Sequence, residues 1–245
     1  MPVWLEIRPI FSALDRVFRK PRLLGVALAF AAVVQFALAQ APPAPTTPQA
    51  RLIVVLDAAH GGSDAGATLS NGQPEKSVTL ALSVKLRSLL AARGFKVVTT
   101  RESDLAVDSN RRAEIANLAQ AQACLSLHAS ESGSGVHLFV SSLSSVQSTR
   151  FVAWKTAQAA WVSRSLSLTG VLNSALQHAG MTVTLSRVAL PAVDSMTCPA
   201  VVVEVAPGAS GQGSTASALS DPNYQSRIAE ALAAALVEWR TEAHQ

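Results

Sequence analysis

The sequence predicts an α/β fold: one three-layer domain in which a mostly parallel, twisted sheet is flanked by helices. Three observations carry that expectation. Short apolar runs alternate with longer stretches whose apolar residues recur at helical spacing, the order expected of strand-helix-strand units. The runs themselves, residues 52–57, 123–127 and 199–203, are almost continuously apolar, as strands buried on both faces are. The first then leads to His60, the second to His128 and the third to Glu204. In an open α/β sheet, ligands sit beyond the carboxyl ends of the strands, so three ends that each deliver a metal-type side chain point to one site.

Taken in order, residues 52–57 form a buried strand and residues 61–74 a loop rich in Gly, Ser, Asn and Asp. From Glu75, the residues Val78, Leu82, Leu86, Leu89 and Leu90 make one helical stripe, and Gly94 stands where a C-terminal cap would. Residues 96–100 read as a second strand, followed by a helix capped by Asp108 or Ser109 with Ile115 and Leu118 inward. After the strand at 123–128, Gly133 and Gly135 turn the chain into residues 136–141, whose weak alternation predicts an edge strand. Residues 144–177 are polar and then helical, with Trp154 and Trp161 one heptad apart and expected in the core. Residues 181–185 and 188–190 read as a short strand and its continuation, and 200–205 as the last central strand. Beyond a Gly/Ser-rich loop, Asp221-Pro222 starts a final helix that runs to about Trp239.

Residues 1–39 do not read as part of the fold. Arg16, Arg19, Lys20 and Arg22 precede an apolar run from 23 to 39, and Ala37-Leu38-Ala39 offers small residues for cleavage before Gln40. This describes a secretory signal peptide; an uncleaved anchor is the alternative, since the run is about the lower limit for spanning a bilayer. Either way the folded part is expected to be periplasmic or secreted. Residues 40–50 form a Pro-rich linker, and residues 51–245 the folded domain. The chain carries a formal +4, but residues 1–39 hold five basic side chains (Arg8 and the four above) against Glu6 and Asp15, which leaves +1 for the rest. With no basic cluster longer than Arg111-Arg112, nucleic acid is not an expected partner. Cys124 and Cys198 each stand near the start of a strand. A disulfide is permitted in that compartment, but two buried thiols packing as small apolar residues is the favoured expectation.

His60, Glu75 and His128 have the composition of a catalytic zinc site, which takes three protein ligands and keeps a fourth position open. Their spacing is too wide for a local clip, so the fold must gather them. Taken alone, Glu75 reads equally well as a first-turn charge facing a helix dipole. Water at such an ion ionises near pH 7, and a further carboxylate is then needed to take and return a proton. Glu204 is the candidate. With Val201-Val202-Val203 before it and Val205-Ala206 after it, an ionised carboxylate there requires a cation such as Arg187 or a place at the rim of a site. His60 before Gly61-Gly62 reads as a backbone turn beside a ligand, whereas His137, His178 and His244 are assigned to surface or edge positions. No G-x-S-x-G motif occurs, which speaks against a serine hydrolase.

These segments, in this order, resemble the zinc-dependent N-acetylmuramoyl-L-alanine amidases of the type 3 family, which cut bacterial peptidoglycan. Leu56-Asp57-Ala58-Ala59-His60-Gly61-Gly62-Ser63-Asp64-Ala65-Gly66-Ala67 is similar to the family's opening motif. Glu75-Lys76 with Leu80, Thr100-Arg101 with Asp104, and Arg112 with Ala116-Asn117 resemble the next three. Ser126-Leu127-His128-Ala129 and Pro199-Ala200-Val201-Val202-Val203-Glu204 resemble the last two. The resemblance implies Zn2+ held by His60, Glu75 and His128, with Glu204 as the catalytic carboxylate. The implied reaction is hydrolysis of the amide between N-acetylmuramic acid and L-alanine in peptidoglycan; separately, the chain is expected to be a monomer. The departures are Ala58-Ala59 for the usual Pro-Gly, Ser130 for Asn, and Ala206-Pro207-Gly208 where the family has Gly-Phe-x-Ser-Asn. Two alternatives stay open: a catalytically weak peptidoglycan-binding or regulatory protein that keeps the fold, and a zinc peptidase cutting within stem peptides.

Overall fold

A computed structural model gives the fold of residues 51–146, 152–208 and 218–242. The proposed signal peptide, the whole of the expected linker and His244 lie outside the described residues, as does most of the Gly/Ser-rich loop before the last helix. Among the described residues, no helix is long and apolar enough to cross a membrane. Six strands form one sheet: β1 (Ile53–Ala58), β2 (Lys96–Thr99), β3 (Ala123–Ala129), β4 (Val136–Ser141), β5 (Val183–Val188) and β6 (Ala200–Val205). Their order across the sheet is β2-β1-β3-β6-β4-β5. All neighbouring pairs are parallel except β4 with β6, so the expected mostly parallel α/β sheet is present.

The four long helices are α1 (Glu75–Ala92), α2 (Ser109–Leu118), α3 (Val162–His178) and α4 (Pro222–Glu242). Helices α1, α3 and α4 cover one face. They bury Leu82, Leu86, Leu172, Leu176, Ile228 and Leu232 against Val54, Leu56, Leu125, Leu127 and Val203 of the sheet. Burial of such side chains stabilises by roughly 1.5–3 kcal/mol each, which makes this face the main core. The other face is covered more thinly. There α2 contributes Ala113 and Ala116, and the segment after β5 contributes Leu190, Val193 and Met196, against Val55, Ala200 and Val202. Small residues on α2 bring that helix close to the sheet, and the short cover leaves the carboxyl ends of β3 and β6, with the amino half of the antiparallel β4, beside open space.

The helix stripe from Val78 to Leu90 packs as expected, and Gly94, at φ +83°, follows the last turn of α1. Asp108 caps α2 by accepting the Arg111 N–H at 3.0 Å. Four expectations are corrected. Leu118 is 73% exposed rather than inward, because α2 turns Arg112, Ala113 and Ala116 to the sheet instead. The strand at 136–141 is interior, with β6 on one side and β5 on the other, and β5 is the edge as a single strand over 183–188. Trp154 opens a 3-10 segment (Trp154–Ala160) rather than a long helix and is 47% exposed.

The fourth correction concerns Cys124 and Cys198, which form a disulfide across 74 positions of sequence. Cys124 lies in β3 and Cys198 just ahead of β6, and these are neighbouring parallel strands in which Cys124 faces Ala200. The bond closes a long loop, and its main effect is to restrict the unfolded chain. The Cys124→Ala/Cys198→Ala double variant is expected to lose about 4 kcal/mol of stability, read as a lower denaturant midpoint under non-reducing conditions. A parent and variant with the same midpoint would show that the bond does not form.

Candidate metal centre

The turn after β1 places His60. Its φ of +61° is in the left-handed region, where a non-glycine residue costs on the order of 1–3 kcal/mol unless its surroundings impose the conformation. Two buried guanidiniums impose it. Arg101 donates to the Ala58 carbonyl at 2.8 Å and the Ala59 carbonyl at 2.9 Å. Arg112 donates to the Ala58 carbonyl at 2.7 Å and the His60 carbonyl at 2.8 Å. Three successive carbonyls are thereby tied to two side chains that are 4% and 6% exposed. The Arg112 charge is matched by buried Asp57, which also accepts from the Thr100 and Ser126 hydroxyls, both at 2.7 Å. Burial first, then repulsion from Arg112, lowers the Arg101 pKa from its ordinary value.

Beyond the turn, Asp104 accepts the Gly62 N–H at 2.7 Å, and Lys76 joins the Gly62 carbonyl to Asp104 with two 2.7 Å bonds. Gly66 lies so close to the site that an added Cβ would sit 2.6 Å from the His60 ring and 2.7 Å from the Glu75 carboxylate.

Glu75, at the start of α1, is the hub of the donor set. Its Oε2 lies 3.0 Å from His60 Nε2, and its Oε1 lies 3.0 Å from His128 Nδ1. Backbone N–H groups of Ala67 and Ala129 donate to the same two oxygens at 3.0 and 3.1 Å. Burial works to raise the Glu75 pKa, but the hydrogen bonds from His128, Ala67 and Ala129 outweigh it and hold the carboxyl below the ordinary glutamate range. The His60 and His128 rings meet edge to face at 5.4 Å. Asp64 Oδ2 is 2.8 Å from His60 Nδ1, which orients the ring and leaves Nε2 for the centre. That hydrogen bond is the chief reason the Asp64 pKa is lowered. One donor atom from each of His60, Glu75 and His128 lies within 4.8 Å of the other two.

Glu204 stands on the same edge. In the sheet register it faces His128 of β3 on one side and His137 of β4 on the other. It is partly buried and does not pair with Arg187, which donates instead to the Ser141 and Leu143 carbonyls. Its partner is His137, with Nδ1 at 3.1 Å from Glu204 Oε1. His137 is therefore not a surface residue: its side chain is 15% exposed and belongs to the site. Period-two alternation from Val136 would have pointed it to one face along with Phe139, but only the antiparallel pairing sets it opposite Glu204. His178 is exposed at the end of α3, as expected. A cleft of about 310 Å3 opens along this row, lined by His128, Glu204, Ser126, Phe139 and Val202 and walled by the segment 188–193.

A model of the N-acetylmuramoyl-L-alanine amidase family matches residues 54–238. The chain belongs to this family. N-acetylmuramoyl-L-alanine amidase AmiA of Escherichia coli is 42% identical over 77 residues, which are 31% of this chain and 27% of that protein. The sporulation-specific N-acetylmuramoyl-L-alanine amidase of Bacillus subtilis is 39% identical over 82 residues, 33% of this chain and 32% of that protein. The stretches matched thus span about a third or less of these curated relatives. Among solved structures, the N-acetylmuramyl-L-alanine amidase of Mycobacterium smegmatis superposes with a TM-score of 0.62 at 20% identity, covering 76% of this chain and 95% of that one. The catalytic domain of an N-acetylmuramoyl-L-alanine amidase from Bacillus (Paenibacillus) polymyxa gives 0.59 at 22%, covering 78% and 98%. At these identities the structural likeness is one of fold.

Within this amidase-family domain, Asp57 and Arg112 form an ion pair in which both side chains are buried. Arg112→Met strands a buried carboxylate and removes a donor from the Val107, Ala58 and His60 carbonyls, and it is expected to cost about 3–5 kcal/mol in denaturant unfolding. A loss under about 1 kcal/mol would show that the turn does not depend on it. The lowered Glu75 pKa sets an acid dependence for the metal-free protein. Because the unfolded chain takes up this proton at a higher pH than the folded one, the Glu75 contribution is present in full above about pH 4.3 and is lost as the pH falls below it. Glu75→Gln is expected to flatten the stability-against-pH curve in that acid window, and an unchanged slope would contradict the assignment.

Proposed function

We propose that this protein hydrolyses the amide joining N-acetylmuramic acid to L-alanine in peptidoglycan, with Zn2+ held by His60, Glu75 and His128. The observation that carries the reading is that two imidazoles and a carboxylate, from three separate elements, turn their donor atoms on one point with Glu204 beside them. The donor set fits zinc, whose nitrogen and oxygen ligands lie about 2.0–2.2 Å from the ion. The zinc would act as a Lewis acid on the amide carbonyl and lower the pKa of the attacking water.

Everything else falls to the chain's own residues. Glu204 takes a proton from the attacking water and delivers it to the departing nitrogen of the alanine, so that the C–N bond breaks and a carboxylate and a free amine result. Asp64 fixes the His60 ring, and the Ala67 and Ala129 N–H groups fix Glu75. Phe139, Val202 and the apolar segment 188–193 exclude water from one side of the cleft. Residues 1–39 are proposed to direct the chain out of the cytoplasm and residues 40–50 to tether a monomeric domain, so that it meets its substrate in the periplasm or outside the cell.

The test is to incubate the purified protein with muropeptides, with and without a chelator, and to identify products by mass. Free stem peptide with intact glycan, abolished by the chelator, is the expected result. No turnover at full zinc occupancy would favour a binding or regulatory protein, to which the Ala206-Pro207-Gly208 sequence after Glu204 would then belong. Shortened peptides would indicate a peptidase. Glu204→Gln is expected to keep its zinc and lose roughly 10²- to 10⁴-fold in kcat. His60→Ala is expected to lose the metal itself, measured as zinc per chain.

A further inference from the structure

Neither the family match nor the metal centre gives a role to His137. Its ring is nonetheless held on several sides. On one it meets Glu204, with Nδ1 3.1 Å from Oε1. On another, the turn at Gly133 closes over the ring: at φ +80° this glycine adopts a left-handed backbone, and an added Cβ would sit 2.5 Å from His137 Cε1 and 2.8 Å from Nε2. The Phe139 ring approaches edge-on, with centroids 6.4 Å apart at 86°. A glutamate side chain has three free torsions, and the remaining neighbours of Glu204 along β6, Val203 and Val205, offer it no donor. Among the described residues, His137 is the only side chain that hydrogen-bonds Glu204, and it binds one oxygen of a carboxylate that lines the cleft.

We propose that His137 is a positioning residue: it donates from Nδ1 to Glu204 Oε1 and so holds the carboxylate toward the cleft in the orientation that proton transfer requires. This rests on the amidase reading of Glu204. A carboxylate oxygen at Nδ1 accepts the hydrogen bond, so the ring must carry its donor proton there. The ring carries no proton to substrate and touches no reacting atom; it acts by limiting where Glu204 can point. Misplacement of a catalytic group by about 1 Å can cost on the order of 100-fold, so a residue that only holds another in place can show a large kinetic effect.

The test compares the parent with His137→Phe, His137→Gln, Glu204→Gln and the double variant His137→Phe/Glu204→Gln, measuring kcat, KM and zinc per chain on muropeptides. His137→Phe is expected to lower kcat roughly 10- to 100-fold with KM within about twofold of the parent and zinc unchanged. His137→Gln keeps an N–H donor and is expected to recover most of the loss. On the Glu204→Gln background the Phe substitution is expected to add less than about a twofold loss, because its partner is already disabled.

A readout without zinc comes from 15N NMR of the metal-free protein, where His137 is expected to be protonated at Nδ1 and to change its signal in Glu204→Ala. A kcat for His137→Phe within about twofold of an active parent would overturn the inference alone, as would a ring with no proton on Nδ1 or an equal further loss in the double variant. A zinc-loaded parent with no turnover would remove the amidase reading, and this inference with it.

Discussion

The buried ion pair between Asp57 and Arg112 is the constraint on which the site depends. Asp57 lies near the end of β1 and Arg112 at the end of the first turn of α2, so their contact fixes the helix to the strand at the point where the chain leaves the sheet. Removing both charges from water is costly, and the pair is compensated by Thr100, Ser126 and the carbonyls it binds. The arginine then reaches the His60 carbonyl, and with Arg101 it holds the turn in which His60 takes a left-handed backbone. A histidine held in that way does not need to be ordered again when a ligand arrives.

Topology does the rest. Parallel strands β1, β3 and β6 bring their carboxyl ends to one edge, which gathers the turn bearing His60, then His128 and Glu204, from positions far apart in the chain. The start of α1 drops Glu75 between the two histidines, with backbone N–H groups waiting for its oxygens. The antiparallel approach of β4 adds His137 on the far side of Glu204. The uneven covering of the sheet matters as much. Three long helices bury one face, while α2 and the segment after β5 leave room on the other for a cleft along the row His128, Glu204 and Phe139.

Much of this was legible in the residues. Apolar runs and helical stripes carry the strand-helix order, because burial on both faces or on one leaves a period in the chain. His60, Glu75 and His128 could be read because each sits at the end or start of such an element, and the structure places them together. What escaped depends on pairing, which no local pattern records. From the sequence His137 is a surface or edge residue; the antiparallel pairing of β4 with β6 puts it opposite Glu204 inside the sheet. The disulfide followed from which strands are neighbours, and the Cys124 to Ala200 register could not be seen from spacing alone. Leu118 and Trp154 are apolar yet exposed, because α2 packs through its alanines and Trp154 opens a 3-10 segment at the surface. Asp64 and the arginine clamp were visible only as pieces of motifs, since their partners are mostly backbone atoms.

Whether His60, Glu75 and His128 share one divalent ion is decided by X-ray absorption at the zinc edge of the loaded protein. The result predicted is one zinc per chain with two imidazole nitrogens and carboxylate oxygen in its shell, at about 2.0–2.2 Å, and loss of one imidazole shell in His128→Ala. Zinc bound with sulfur ligands, or an unaltered spectrum in His128→Ala, would contradict it.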